Sequence, residues 1–173
     1  METTKLLPSE LKIFNFAKKE VRLFGEYLIS SLPRISEIAI NKEDSVKVDL
    51  SFYLENDKTP CIKGIIELDI VLECQRCLEA LQKHLKVNFN LAFVRNEQQV
   101  EGLDSQYEIY VIEGDELATI DLITDEILLS LPMAPSHNYE CNLNKDKQEI
   151  VKEKRENPFT ILKNIKIADV GKE

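Results

Sequence analysis

Three runs of alternating residues constrain this chain more than anything else in it. In the first, Val46, Val48, Leu50, Phe52 and Leu54 are separated by Lys47, Asp49, Ser51 and Tyr53. In the second, which spans Ile62 to Leu72 and includes Ile65, residues Ile66, Leu68, Ile70 and Leu72 lie on one face against Glu67, Asp69 and Val71. In the third, Leu85, Val87, Phe89, Leu91 and Phe93 alternate with Lys86, Asn88, Asn90 and Ala92. A period of two places alternate side chains on opposite faces of an extended strand. Polar turns at Asn41-Lys42-Glu43-Asp44 and Asn56-Asp57-Lys58 bound the first run, and no long helical pattern separates the three. The expected architecture is an antiparallel meander with one buried face, either an open sheet or one curled into a barrel.

A sheet with one apolar face needs a cover. Ile120, Ile123, Ile127 and Leu131 recur at helical spacing, and Pro132 stops the pattern. This predicts a helix over 121–131 with Asp121 as N-cap, and with Asp125 and Glu126 as acids of an early turn. The fold class is therefore α+β. Ahead of the meander, residues 11–24 suit either a short helix near Asn15–Arg22 or a strand. Gly25 marks a break, Tyr27-Leu28-Ile29 reads as a strand entering a loop at Ser30-Ser31-Leu32-Pro33, and Ile38 and Ile40 begin the strand-like region. Tyr107, Ile109 and Val111 suggest one further strand beyond an acidic loop.

Residues 1–141 read as a single domain. Residues 142–173 read as a charged linker followed by a short helix, in which Asn157 is the N-cap, Pro158 takes the first helical position and Phe159, Ile161, Leu162 and Ile165 supply an apolar stripe. A length of 173 residues with 43% hydrophobic and 31% charged residues is enough for a real core. Met1 to Lys5 lack the features of a signal peptide, and no apolar run approaches the roughly 20 residues that span a bilayer. The expected address is the cytoplasm, without membrane contact. There cysteines serve as thiols or metal ligands rather than disulfides.

The net charge of −9 is unevenly distributed. No lysine or arginine occurs between Arg95 and Lys145, an interval that holds eleven acidic residues. Proteins that track phosphates usually carry a basic stripe, so direct RNA binding by this region is disfavoured. The acidic block is either a solvated surface or a docking face for a basic partner.

Chemistry centres on Cys74 and Cys77, which flank Gln75-Arg76 at the end of the second run. His137 and Cys141 form an H-x3-C pair in a proline-stiffened loop containing Pro132 and Pro135. The four residues Cys74, Cys77, His137 and Cys141 would make a Cys3His zinc site of the closed, structural type. Neither half carries the glycine that often follows a zinc-knuckle cysteine. The competing reading has Cys74 and Cys77 as small buried residues at a strand end. A thioredoxin-like redox pair fits less well, because that motif belongs to a βαβ setting. Cys61 is read as a strand-start residue and His84 as a surface residue. Phosphate loops, nucleophile elbows and H-E-x-x-H are absent, so no catalytic residue is assigned and an enzyme is the weaker class.

Three motifs in order carry a resemblance: Leu72-Glu73-Cys74-Gln75-Arg76-Cys77; Asp125-Glu126-Ile127-Leu128-Leu129-Ser130-Leu131-Pro132-Met133-Ala134-Pro135-Ser136-His137 with Cys141 behind it; and Asn157-Pro158-Phe159-Thr160-Ile161-Leu162. Together they resemble the YceD family of large ribosomal RNA subunit accumulation proteins. The resemblance implies a bacterial, non-enzymatic role in the synthesis, processing or stability of 23S rRNA, and so in large-subunit assembly. Some members have a cysteine-rich insertion that looks zinc-binding; this chain has only His137 and Cys141 there. Combined with the acidic middle, the resemblance implies action through a basic ribosomal protein, an assembly factor or a nuclease, with rRNA contacted indirectly. A direct RNA-binding or processing module using Arg76 and the strand lysines, and a zinc-binding scaffold, are the alternatives.

Overall fold

The structure is a computed structural model that describes residues 7–96 and 103–141, all within one compact unit, Met1–Cys141. The elements in chain order are β1 (Glu10–Lys12), α1 (Ile13–Lys18), β2 (Arg22–Leu28), a 3-10 turn (Ile29–Ser31), α2 (Pro33–Ile38), β3 (Ser45–Glu55), β4 (Thr59–Glu73), β5 (Ala80–Val94), β6 (Glu108–Val111), β7 (Glu116–Ala118) and α3 (Thr119–Ser130).

The alternating runs form the centre of a five-stranded sheet of order β2-β3-β4-β5-β6. Strands β2 to β5 are an antiparallel meander, as the alternation requires. The buried face follows the period of two: Val46, Val48, Leu50 and Phe52 on β3, Ile62, Ile66, Leu68, Ile70 and Leu72 on β4, and Leu85, Val87, Phe89, Leu91 and Phe93 on β5. Leu11, Ile13, Ile29, Leu32, Ile35, Leu122, Ile123 and Ile127 cover this face in one continuous core. The architecture is thus a sheet with helices on one side. Strands β2 and β6 remain its two edges among the described residues, so the sheet is open and the barrel alternative is set aside. No helix among the described residues is long and apolar enough to cross a membrane.

One register position shows how tightly neighbouring strands pack. Gly64 faces Phe89 across the β4–β5 ladder, and a Cβ at Gly64 would fall 1.9 Å from Phe89 Cζ. The missing side chain gives the ring its space.

Several local expectations are corrected. The first helix is Ile13–Lys18 rather than Asn15–Arg22, because Glu20 takes a φ of 49° and turns the chain into β2. Gly25 lies within β2, opposite Val48, and does not break it. Ile29 leaves the strand for the 3-10 turn. Pro33–Ile38 is a helix with proline at its start and Ile35 buried, not a strand containing Ile38. Burial of Leu32 and Ile35 against the core outweighs the β-branched composition. Strand β6 runs parallel to β5, pairing Leu91 with Glu108 and Val94 with Val111.

Helix α3 begins at Thr119 with Ala118 as N-cap, so Asp121 sits in the first turn and Asp125 and Glu126 lie mid-helix. Thr119 is held from outside the helix: its N–H donates to Ser9 O and its hydroxyl to Pro8 O. Cys61 stands at the start of β4, as expected, and is fully buried on the outer face of the sheet, beside Ala92 and Tyr107. Tyr107 donates to Glu55 Oε2 at 2.6 Å and Tyr53 donates to Asn90 Oδ1 at 3.0 Å, which pins the segment entering β6 against that face. Burial pushes the Cys61 thiol up to about 11, so it stays protonated and inert.

Candidate metal centre

The long central hairpin delivers Cys74 and Cys77, and the segment after α3 delivers His137 and Cys141. Strand β4 runs to Glu73, and the chain then turns tightly before β5 begins at Ala80. Within the turn, Cys74 N–H donates to Glu79 O and Leu78 N–H donates to Cys74 O, both at 2.9 Å. Leu78 adopts a φ of 62°. That left-handed conformation is the one glycine favours after the second cysteine of a knuckle, so the geometry is present without the glycine. Pro132 follows the last helical residues of α3 and ends them. Pro135 O then accepts a hydrogen bond of 2.8 Å from Gln75 N–H, fastening the returning loop to the turn.

The fastening brings four ligand atoms together. One atom each from Cys74, Cys77, His137 and Cys141 lies within 4.8 Å of all the others. Cys74 Sγ is 3.7 Å from Cys141 Sγ, and Cys77 Sγ is 3.4 Å from His137 Nδ1. A zinc tetrahedron with bonds of about 2.3 Å to sulfur and about 2.0–2.1 Å to nitrogen has edges of about 3.8 Å between sulfurs and about 3.6 Å between sulfur and nitrogen. The observed spacings match those edges. His137 is oriented for the role, since Nε2 lies 3.2 Å from Ala80 O. Donation to that carbonyl leaves Nδ1 with a free lone pair facing the sulfurs. The ring of Tyr139 stacks on His137 with centroids 4.8 Å apart.

Arg76 is the other half of the arrangement. Its Nε donates to Cys141 Sγ at 3.1 Å, and its terminal nitrogen donates to His137 O at 3.0 Å and to Tyr139 O. One guanidinium therefore ties the cysteine turn to three residues of the returning loop. Burial pushes the Cys74 thiol up, but the backbone amides of Cys77, Arg76 and His137, with the Cys77 thiol, outweigh it and bring Cys74 down to about 5. Cys77 goes the other way, raised to about 11 by burial and by the neighbouring Cys141 and Cys74 sulfurs. Cys141 is also subject to burial, yet Arg76 and His137 draw it below the ordinary thiol range. The protein's own groups thus favour thiolates at Cys74 and Cys141, and ionising the third thiol calls for a further cation. Four protein ligands on a tetrahedron leave no open position for substrate, which is the structural rather than the catalytic pattern.

These contacts join two of the three motifs that carry the family likeness. A family model described as Large ribosomal RNA subunit accumulation protein YceD matches residues 62–166. A curated protein of the same description from Haemophilus influenzae is 34% identical over 169 residues, covering 92% of this chain and 96% of that protein. The chain belongs to the YceD family. No solved structure matches it. The YceD match begins inside β4 and takes in both halves of the Cys3His group. Of the motif residues, Cys74, Arg76, Cys77, Pro135, His137 and Cys141 converge, Pro132 closes α3, and Asn157, Pro158 and Phe159 lie outside the described residues. Sequence reasoning did not single out Leu78 or the clamping role of Arg76. The positive φ at Leu78 has no sequence signal at all, since leucine is not a residue that advertises it.

Proposed function

We propose that this protein is a non-enzymatic factor for the accumulation of the large-subunit ribosomal RNA, acting through a basic protein of the assembly pathway, with the Cys3His group holding a structural zinc ion. The observation that carries the role is the likeness, over nearly the whole of both chains, to a protein described as a large ribosomal RNA subunit accumulation protein. Zinc would supply the cation that three closely spaced thiols require, and would weld the loop after α3 to the central hairpin. Cys74, Cys77, Cys141 and the Nδ1 of His137 would hold it.

The acidic interval supports a basic protein partner over RNA. So does Arg76, which is committed to Cys141 and the loop carbonyls. The test is expression of the tagged full-length chain in a strain lacking it, with ribosomal RNA profiled and co-purifying material identified at rising salt. Restored 23S rRNA and a salt-sensitive basic protein support the reading. Normal rRNA in the deletion strain would refute the role. Tight RNA binding by the purified protein, with no protein partner, would favour the direct RNA-binding module.

A further inference from the structure

Strand β2 is an edge of the sheet that nothing among the described residues pairs with on its far side. Native sheets keep such an edge from meeting another strand by shortness, lysine, proline, a bulge or a covering element. The other edge, β6, has only four residues. Strand β2 has seven, contains neither lysine nor proline, and holds an unbroken register with β3. Among the described residues β3 is also the only element packed closely along it. After Leu28 the chain turns to the β3 side, where Ile29 N–H donates to Asp44 O and Ser30 N–H to Lys42 O.

The phase of the free main-chain groups is fixed. Phe52 N–H donates to Val21 O at 2.9 Å and Ile29 N–H to Asp44 O at 3.0 Å, at the two ends of the strand. The N–H and C=O groups of Leu23, Gly25 and Tyr27 therefore face β3, and those of Arg22, Phe24 and Glu26 point out from the sheet. The side chains of these last three share the outer face, because Leu23 and Tyr27 pack against the core on the other. Phe24 is 55% exposed there. The Arg22 guanidinium lies 4.8 Å over the Phe24 ring and binds Asp49 through Nε and Nη2, which leaves Nη1 for a second acceptor. Glu26 makes no side-chain hydrogen bond or ion pair among the described residues.

This pattern is complementary to itself. In an antiparallel pairing of two copies centred on Phe24, Phe24 meets Phe24 of the second copy, and Arg22 on each strand stands opposite Glu26 on the other. All three point outward, so each donates and accepts one main-chain bond. Opposite charges directly across and an aromatic pair at the centre are the pairings that stabilise antiparallel strands. On the core side Leu23 falls opposite Gly25, which offers no side chain to clash. Moving the centre to Gly25 would set Arg22 against Leu28 and Phe24 against Glu26, and both pairings would be lost.

We propose that β2 is the interface through which two copies of this chain associate, edge to edge about a two-fold axis at Phe24, joining two five-stranded sheets into one. Strand β4 ends on the same side of the sheet as β2, so the two metal centres lie at opposite ends of the joined sheet.

The test is sedimentation velocity of the full-length protein from low to high micromolar concentration, with amide hydrogen exchange read at both ends of the range. A monomer–dimer equilibrium is expected, with exchange slowing across 22–28 as the dimer forms. Glu26→Arg and Arg22→Glu each set like charges opposite one another and should weaken the dimer at least about tenfold. Mixed in equal amounts, the two variants should pair with each other more tightly than either pairs with itself, because each glutamate then faces an arginine. Phe24→Pro removes an N–H that points out from the sheet, so it should abolish the dimer while circular dichroism shows the fold intact. It decides the matter with Glu26→Arg if Arg22→Glu, which loses its bond to Asp49, does not fold. A monomer at every concentration, a dimer that Glu26→Arg and Phe24→Pro leave unchanged, or protection confined to 108–111 would overturn the proposal. Folded charge variants that associate no better when mixed would overturn it as well.

Discussion

Replacing Leu78 by glycine should make this protein more stable, although it deletes an apolar side chain. Leu78 is 56% exposed and holds a φ of 62°. A left-handed conformation costs an L-residue about 1–2 kcal/mol. Glycine relieves that strain but gains freedom in the unfolded chain, an offset of roughly 0.5–1 kcal/mol. Little burial is lost at an exposed site, so the net gain is about 0.5–1 kcal/mol. With a urea slope of about 2 kcal/mol per molar, the midpoint should rise by roughly 0.25–0.5 M. Leu78→Ala is the reference, because alanine keeps the strain and forfeits the contacts; it should be neutral or destabilising. Urea unfolding followed by circular dichroism, with equimolar zinc present throughout, measures all three proteins. A Leu78→Gly variant no more stable than Leu78→Ala would refute the assignment of strain to this turn.

Other outcomes follow from the same contacts. Gly64→Ala drives a methyl group into the Phe89 ring and should cost about 1–3 kcal/mol by overpacking; combining it with Phe89→Leu should cost less than the sum of the two, and strict additivity in a double-mutant cycle would contradict the close approach. Glu126 is raised from 4.5 to about 7 in the folded protein, so the folded state holds its proton more tightly than the unfolded one. Its stabilisation is complete below about pH 4.5 and is lost as pH rises to about 7, a swing of about 3 kcal/mol. The stability advantage of Glu126→Gln should therefore grow across that window and then level off, as read by thermal unfolding at a series of pH values. Arg76→Gln should weaken zinc binding by about 10–100-fold in competition with a chromogenic chelator, as loss of an outer-shell partner does, and Arg76→Lys should recover little of it because the forked contact to Cys141 and the loop carbonyls needs a guanidinium.

The alternation in β3, β4 and β5 made the meander legible before any coordinates, because a period of two has only one cheap interpretation when one face is apolar. The helix over α3 was equally legible in type. Its start was not, since Thr119 is held by Pro8 and Ser9 from far along the chain rather than by a capping side chain of its own. Helix α2 has six residues, too few for periodicity to show, and only the burial of Leu32 and Ile35 defines it. The parallel placement of β6 depends on where a long connection returns, which local sequence does not encode. The cysteine and histidine spacings named the four ligands, while the contact between Gln75 and Pro135 that unites them spans sixty residues. The missing glycine after Cys77 argued against a knuckle, yet Leu78 takes the glycine conformation itself. Glu126 looked like an ordinary helical acid, and only the packing of α3 against β5, β7 and α2 revealed its burial.

The metal centre is the claim on which most of this account turns, and native mass spectrometry of the full-length protein purified under reducing conditions tests it most directly. One zinc ion per chain is expected, retained by the parent and lost from Cys74→Ser and Cys141→Ser. A parent chain that carries no metal after incubation with equimolar zinc, and whose cysteine thiols Cys74, Cys77 and Cys141 remain freely titratable, would contradict it.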